Sequence, residues 1–416
     1  MSETFYHNLP NGLQIVHRKT TSPVVYVGIM VGAGTRHELP EENGMAHYIE
    51  HCVFKGTQHY TARQIINHIE GIGGEINAYT TKEETTFYAA TLSNHFRTTL
   101  HLLADMVLHP TFSKKETDKE VTVILDEIES YNDSPSELIY DDFENMIFEG
   151  SSLAMPILGT KKTLRRISKS PDIALNWMQQ HYRPERMVLF VLGNVSTQQV
   201  ISAAEKELLA SSPYRPIASS PITHSEASHS QSPIAYSRTY RRHTHQTHIM
   251  LGSHAYSIGH PKQLTMYLLN NILGGGSMSS RLYLSLREKY GLVYNIDSQA
   301  VPLSDTGYWN IYLACEPQHK DHCLELCHKE LKQLRDTTLT SAQLLRALRQ
   351  LEGQMAISAE NQENNALAMA KQMLYHHHAP AWQETFAKVQ QITPTQLQDV
   401  ANEVFDAEKI YTLLYD

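Results

Sequence analysis

The sequence predicts an α+β protein of two structurally similar domains, each a mixed sheet with packed helices. Strands and helices alternate irregularly, and several strands are joined as hairpins instead of strict βαβ units. The second half of the chain repeats the order of elements of the first half, although the two share little sequence identity. A chain of 416 residues is also too long for one ordinary core and suits two domains of about 200 residues each.

The composition is ordinary for a globular protein, with 41% hydrophobic and 19% charged residues. A formal net charge of −9 argues against nucleic-acid binding, which requires a basic surface. No apolar run approaches the 18 residues of a membrane span, and the first residues lack the basic and apolar regions of a signal peptide. Four cysteines are too few for a disulfide framework in a chain of this length. We therefore expect a cytoplasmic protein with no nucleic-acid or membrane partner.

Hydrophobic periodicity and turn residues place the elements of the first half. The predicted strands are residues 12–18, 24–31, 75–81, 85–92 and 187–193, and the predicted helices are 44–55, 62–71, 94–108, 113–131, a run ending near 148, and 197–209.

The composition of residues 210–235 predicts a linker between the domains. Serine–proline pairs recur in this polar stretch, which has almost no apolar periodicity. The predicted domains are therefore residues 1–209 and 236–416.

The second half contains the same mixture of elements. Its predicted strands are residues 247–254, 292–301, 307–316 and 409–415, and its predicted helices are 260–273, 279–290, 319–336, 340–375 and two shorter ones.

The pattern H-x-x-E-H over residues 47–51 supplies the candidate metal-binding and catalytic residues of the first half. On a helix, His47 and His51 point the same way because residues four apart stack on one face. Two neutral imidazoles at that separation can share one zinc ion, and Glu50 lies beside them. This is the motif order of an inverzincin. The side chain of Asn43 is expected to cap the helix.

A catalytic zinc site needs a third protein ligand and an open position for water. The helix over residues 113–131 offers Glu120 and Glu127, which are seven residues apart and therefore on one face, with Ile124 between them. Carboxylates spaced across an otherwise apolar face are unusual for a solvated helix. Glu129 lies on another face and is expected to be exposed to solvent.

With these motifs, the chain resembles the pitrilysin/insulinase family of inverzincins, in its short, two-domain branch of mitochondrial-processing-peptidase-like proteins. The resemblance spans roughly residues 8–415. In the first half the matching residues are Gly44, Ala46, His47, Glu50, His51, Phe54, Lys55, Gly56 and Thr57, with Glu127 at the spacing of the third ligand. In the second half the matching stretches are 274–282 and 286–294. Cys52 departs from the methionine common at its position, and the linker and the histidines at 376–378 have no counterpart.

The resemblance implies a zinc endopeptidase in which His47, His51 and Glu127 hold Zn²⁺. Glu120 would not bind the ion itself but would orient one of its protein ligands. Glu50 would take a proton from the water on the zinc and return it to the leaving amine.

The resemblance also implies that Arg287 and Tyr294 stabilise the charge that develops on the reacting carbonyl. The substrate would be an unfolded peptide or protein tail, bound in a chamber as an added β-strand. The strand that would receive it consists of Asn77, Ala78, Tyr79, Thr80 and Thr81. On composition alone this segment is equally well explained as an ordinary strand edge.

Longer members of the family carry four such domains, so a two-domain chain implies a two-fold homodimer. The rival interpretation is a non-catalytic peptide-binding or assembly subunit, because some relatives keep the fold and lose the metal. A second metal held by His319, Cys323 and Cys327 is a further alternative, although buried thiols on a core helix explain the spacing more simply.

Overall fold

The computed structural model describes residues 4–209, 236–242 and 244–416. It confirms the α+β class, with two mixed sheets that are each packed with helices. The predicted linker at 210–235 lies outside the described residues.

The first sheet has six strands in the order β1-β2-β6-β3-β5-β4. Only β2 and β6 are parallel among its paired strands, so the sheet is built mainly from antiparallel neighbours. Its strands are β1 Thr4–Asn8, β2 Gln14–Lys19, β3 Val24–Val31, β4 Glu75–Thr80, β5 Thr85–Leu92 and β6 Met187–Gly193. Strand β1 was not predicted from the sequence.

The second sheet has five strands in the order β7-β11-β8-β10-β9, with β7 and β11 parallel. Its strands are β7 Ser237–Tyr240, β8 Thr247–His254, β9 Val293–Pro302, β10 Gly307–Cys315 and β11 Tyr411–Tyr415. The β9–β10 hairpin repeats the β4–β5 hairpin of the first sheet, as the similar order of elements predicts.

The predicted helices are found at or near their expected positions, but α6 and α7 were not predicted from the sequence. Those before the linker are α1 Met45–Val53, α2 Ala62–Glu70, α3 Phe96–Leu108, α4 Lys114–Asn132, α5 Pro135–Ile147, α6 Lys161–Ile167, α7 Pro171–His181 and α8 Thr197–Ala204. Those after it are α9 Gln263–Gly274, α10 Lys320–Asp336, α11 Ser341–Glu360, α12 Gln362–His376, α13 Trp382–Val389 and α14 Pro394–Val404. The segment Tyr283–Lys289 is π-helical.

The prediction of one helix over residues 340–375 is wrong, because the chain breaks between α11 and α12. Asn361 has an extended backbone, and its side-chain oxygen accepts the N–H of Asn364 at 3.0 Å. An asparagine in this position satisfies a free N–H group at the start of a new helix. The break lets α11 and α12 belong to different parts of the fold.

The described residues form two compact units whose membership is not sequential. The first unit takes the chain up to Glu129, the segment from Gly150 through α8, and Ser358–Pro380. The second takes Ser130–Glu149, the residues from β7 to Ile357, and Ala381–Asp416. Each unit therefore contains a helix from the other half of the sequence, α12 in the first and α5 in the second.

Helix α12 covers one face of the first sheet through small and flexible apolar side chains. Ala366, Met369, Ala370 and Met373 are buried with Val16, Met30, Val188 and Phe190 of the strands beneath. The opposite face of the same sheet supports α1 and α3, whose buried residues form the main core of the unit. Among the described residues, no helix combines the length and apolar character needed to cross a membrane.

Candidate metal centre

Helix α1, which carries the H-x-x-E-H pattern, begins at a tight backbone turn. Gly44 has a φ of +92°, in the left-handed region that glycine adopts without strain. A Cβ atom at this position would also lie 2.8 Å from the Cα atom of Gly159, so the two backbones pass in close contact.

The free N–H groups at the start of α1 are bound by the buried carboxylate of Glu38. Its two oxygens accept the N–H groups of Gly44 and Ala46, each at 2.8 Å. The prediction that Asn43 caps the helix is wrong. Its side chain instead donates to the Pro156 carbonyl at 2.8 Å and to Glu38 at 3.2 Å. The Asn43 amide is engaged in these two contacts, while Glu38 accepts the N–H groups at the start of the helix.

His47 and His51 lie side by side on α1, with ring centroids 4.5 Å apart. Their Nε2 atoms lie 3.8 and 3.5 Å from Oε2 of Glu127 on α4. One ligand atom from each of the three residues lies within 4.8 Å of the others. Two imidazole nitrogens and one carboxylate oxygen form a donor set that suits zinc and leaves a fourth position open.

Glu120 contacts His51 on the side away from Glu127. Its Oε1 is 2.9 Å from Nδ1 of His51, and its Oε2 is 2.8 Å from the ammonium group of Lys55. Glu120 is 5% exposed, whereas the Glu127 side chain is 43% exposed. With Nδ1 of His51 bound to Glu120, Nε2 is the ring nitrogen that a metal ion would bind.

The two histidines differ in their affinity for protons. Burial, followed by the nearby His51, lowers the pKa of His47, so this ring is neutral and able to bind a metal. Burial also lowers the pKa of His51, but hydrogen bonds to Glu120 and Glu127 outweigh it and raise the value to about 9. A metal ion between these residues would therefore compete with a proton on His51.

Glu50 extends from α1 toward β4. Burial raises the pKa of its carboxyl group, and a hydrogen bond from Thr80 opposes that shift. The Thr80 hydroxyl donates to Oε2 of Glu50 at 2.5 Å. Glu50 does not belong to the three-residue metal group, although it follows His47 by only one helical turn.

The predicted substrate strand corresponds to β4, the terminal strand in the order of the first sheet. Asn77 is exposed, and Thr81 lies just beyond the end of the strand in the turn toward β5. A terminal strand has one edge of N–H and C=O groups that its own sheet does not pair.

Arg287 and Tyr294 lie together in the second unit. The guanidinium carbon of Arg287 is 5.2 Å from the centre of the Tyr294 ring and 4.9 Å from that of Tyr283. Tyr294 is 81% exposed, which is unusual for a large aromatic side chain.

The alternative of a second metal receives no support in the described part of the chain. There the only metal-ligand group of three or more residues is His47, His51 and Glu127. Cys323 and Cys327 are buried free thiols in the core of the second unit.

Two family models match consecutive parts of the chain. The model described as insulinase (peptidase family M16) matches residues 14–161, and the one described as peptidase M16 inactive domain matches residues 170–351. The chain belongs to the insulinase family, peptidase family M16.

Relatives over the whole length carry protease names. The uncharacterized zinc protease YmxG of Bacillus subtilis is 32% identical over 407 residues, which are 97% of this chain and 96% of the relative. An uncharacterized zinc protease of Streptomyces coelicolor is 31% identical over 408 residues, which are 95% of this chain and 86% of the relative. These names support a zinc protease for the M16 chain described here.

Two crystal structures share the fold. A protease from Helicobacter pylori superposes with a TM-score of 0.89 at 20% identity and full coverage of both chains. A peptidase M16 inactive domain protein from Pseudomonas fluorescens superposes with a TM-score of 0.87 at 18% identity, covering 99% of this chain and 97% of that one.

Two groups that contact the motif helix of this M16 site were not predicted from the sequence. Glu38 lies six residues before Gly44, outside the spacing of any local capping motif, so the sequence carried no signal for it. The Thr80 hydroxyl is the second group: the alternation of strand residues places it on the same face as Ile76 and Ala78, which is the signal that could have found it.

Proposed function

We propose that this M16 protein is a zinc-dependent endopeptidase that hydrolyses unfolded peptides or protein tails. The observation that carries the proposal is the convergence of His47, His51 and Glu127, with Glu50 beside them. His47, His51 and Glu127 would hold the ion. When bound, zinc supplies a Lewis acid that makes water a nucleophile near neutral pH.

Glu50 is the general base of the proposed reaction. Its carboxylate accepts a proton from the attacking water and later gives it to the leaving amine. Glu120 holds the His51 ring through Nδ1 and so keeps Nε2 directed toward Glu127.

The substrate is proposed to add to β4 as an extended strand. Backbone groups along Asn77–Thr81 would pair with the peptide, which gives affinity with little sequence preference. The exposure of Asn77 and the terminal place of β4 in the sheet support this binding mode.

Zinc analysis and peptide cleavage test the proposal together. The purified protein should contain about one zinc per chain and should cleave an unstructured peptide, and chelation should abolish the cleavage. Glu50→Gln should keep the zinc and lose roughly 10²-fold or more of the turnover, because it removes the base without removing a ligand. A Glu50→Gln protein that cleaves normally but lacks zinc would reverse the assignment. A wild type that binds the peptide without cleaving it would favour the non-catalytic role.

We further propose that Arg287 and Tyr294 stabilise the developing charge and that they act across a homodimer. The resemblance to four-domain relatives supports this arrangement, in which the second half of one subunit completes the site of the other. Mixing inactive Glu50→Gln and Arg287→Ala subunits tests it. Random exchange makes half of the dimers mixed, and one of the two sites in each mixed dimer has both residues intact, so about a quarter of all sites should work. If the pair acts within one chain, every site keeps a lesion and mixing restores nothing.

A further inference from the structure

The Thr80 side chain lies where the substrate strand meets the general base. Thr80 is the last residue of β4, and α1 packs against this strand. Side chains alternate along a strand, so Thr80 shares a face with Ile76 and Ala78, which pack against the core that includes α1. Tyr79 faces the other way and packs with the cluster beneath α12.

The hydrogen bond between Thr80 and Glu50 leaves one carboxylate oxygen available. Thr80 has a single O–H donor, and it is directed at Oε2 of Glu50 at 2.5 Å. Among the described residues, no hydrogen bond reaches Oε1 of Glu50. The side chain is thus held at one oxygen while the other can accept a proton.

The turn that follows Thr80 is fixed on several sides. The hydroxyl of Thr81 accepts the N–H groups of Glu83 and Glu84 at 3.2 and 3.1 Å. Glu84 is 1% exposed and accepts hydrogen bonds from Lys371 and Tyr375 of α12, at 2.7 and 2.6 Å. The turn directly after Thr80 is therefore held by its own hydrogen bonds and by α12.

We propose that Thr80 is the positioning residue for Glu50, holding the carboxylate of the base in the orientation from which it accepts the proton of the attacking water. The inference rests on the proposed function, and it gives Thr80 a role separate from backbone pairing with the substrate. Because one residue both ends the substrate strand and binds the base, it fixes the base relative to the bound peptide.

The substitution Thr80→Val tests this role, because valine keeps the branched shape and the strand preference while removing the hydroxyl. With zinc bound, kcat should fall roughly 10-fold to 100-fold, the equivalent of one hydrogen bond to a charged group. KM should change less than about threefold, since backbone pairing with the peptide is untouched. Thr80→Ser restores the hydroxyl and should recover most of the lost kcat.

Two further measurements distinguish positioning from a general defect in the strand. The first is peptide affinity in inactive proteins, where Glu50→Gln and Glu50→Gln/Thr80→Val should bind the same unstructured peptide equally well. The second is crystallography of the metal-free proteins. The Glu50 carboxylate should occupy one position on Thr80 in the wild type and more than one in Thr80→Val.

The outcomes separate this inference from the function on which it rests. If the wild type shows chelator-sensitive cleavage that Glu50→Gln abolishes, but Thr80→Val keeps kcat within about twofold, the positioning role is wrong and the function stands. Weaker peptide binding by the double variant, or failure of Thr80→Ser to recover kcat, would also overturn it. A wild type that cleaves no peptide would remove both proposals.

Discussion

Glu120 offers the sharpest test of how the metal group is held, because it can be changed without removing a ligand. It is 5% exposed, and its two oxygens bind His51 at 2.9 Å and Lys55 at 2.8 Å. Glu120→Gln keeps the shape and one acceptor oxygen but removes the charge. The glutamine side chain therefore keeps an acceptor oxygen for only one of the two partners, His51 or Lys55, and that oxygen is a weaker, neutral acceptor.

The expected loss follows from those two contacts. A hydrogen bond to a charged group contributes about 1.5–3 kcal/mol, against roughly 1 kcal/mol for a neutral one. Replacing the charged acceptor should thus weaken zinc binding by about 0.5–2 kcal/mol, or roughly 2-fold to 30-fold, which overlaps the 10–100-fold loss typical when a residue that hydrogen-bonds a metal-binding histidine is changed. Glu120→Ala, which removes both contacts, should lie at the upper end of that range.

The assay is competition for zinc between the metal-free protein and a chromogenic chelator at fixed pH and ionic strength. Glu129→Gln serves as the matched control, because it is on the same helix but exposed and outside the metal group. Lys55→Met should not weaken zinc binding, because it removes a positive charge near the site and keeps the hydrogen bond between Glu120 and His51. Unchanged zinc affinity in Glu120→Gln, with affinity lost in Lys55→Met, would refute the reasoning.

Three other predictions follow from the described contacts. Glu127→Ala should lower zinc content well below one per chain by elemental analysis while Glu129→Ala retains it, and the opposite result would show that the third ligand is wrong. Burial lowers the pKa of His37 from 6.5 to about 3, so its contribution to stability is complete above pH 6.5 and is lost as the pH falls toward 3. In urea titrations, the unfolding free energy of the wild type minus that of His37→Gln should therefore decrease from pH 7 to pH 4, and a difference independent of pH would contradict a ring that stays neutral in the folded protein. Lys371→Met should cost about 1–2 kcal/mol by urea unfolding, because it leaves the buried Glu84 carboxylate short of a charged donor, while the 46% exposure of Lys371 limits the loss. Adding Glu84→Gln to that variant should recover part of the stability, and no recovery would argue against the ion pair.

Most of the elements could be predicted from the sequence because their signals are local. The capping box of Thr61 and Gln64 begins α2, as the serine or threonine at a helix start predicts. The spacing of Glu120 and Glu127 placed both on one face of α4, and the structure brings that face to His47 and His51. Periodicity encodes which residues share a face, so the ligand candidates followed from counting along the chain.

The elements that the sequence did not predict include helices α6 and α7 and two strands that depend on their sheets for stability. Strands β1 and β7 are short, at five and four residues, and each borders a sheet whose pairing supplies its hydrogen bonds. The division of residues 340–375 into α11 and α12 was hidden because both halves are good helix formers. The break is decided by where α12 packs, since it covers the first sheet and binds Glu84, far away in the sequence.

The sequence by itself determined the α+β class, the motif helix, the candidate metal ligands and the family, because all of these depend on residue identity and short spacing. Only the tertiary structure decided that Glu38 caps α1, that α12 stabilises the turn after β4, and that the Thr80 hydroxyl binds Glu50. These contacts join residues 8, 291 and 30 positions apart in the chain. No local pattern specifies such pairs, because they form only when separate elements pack onto one core and a buried polar group must take whichever partner the packing brings to it.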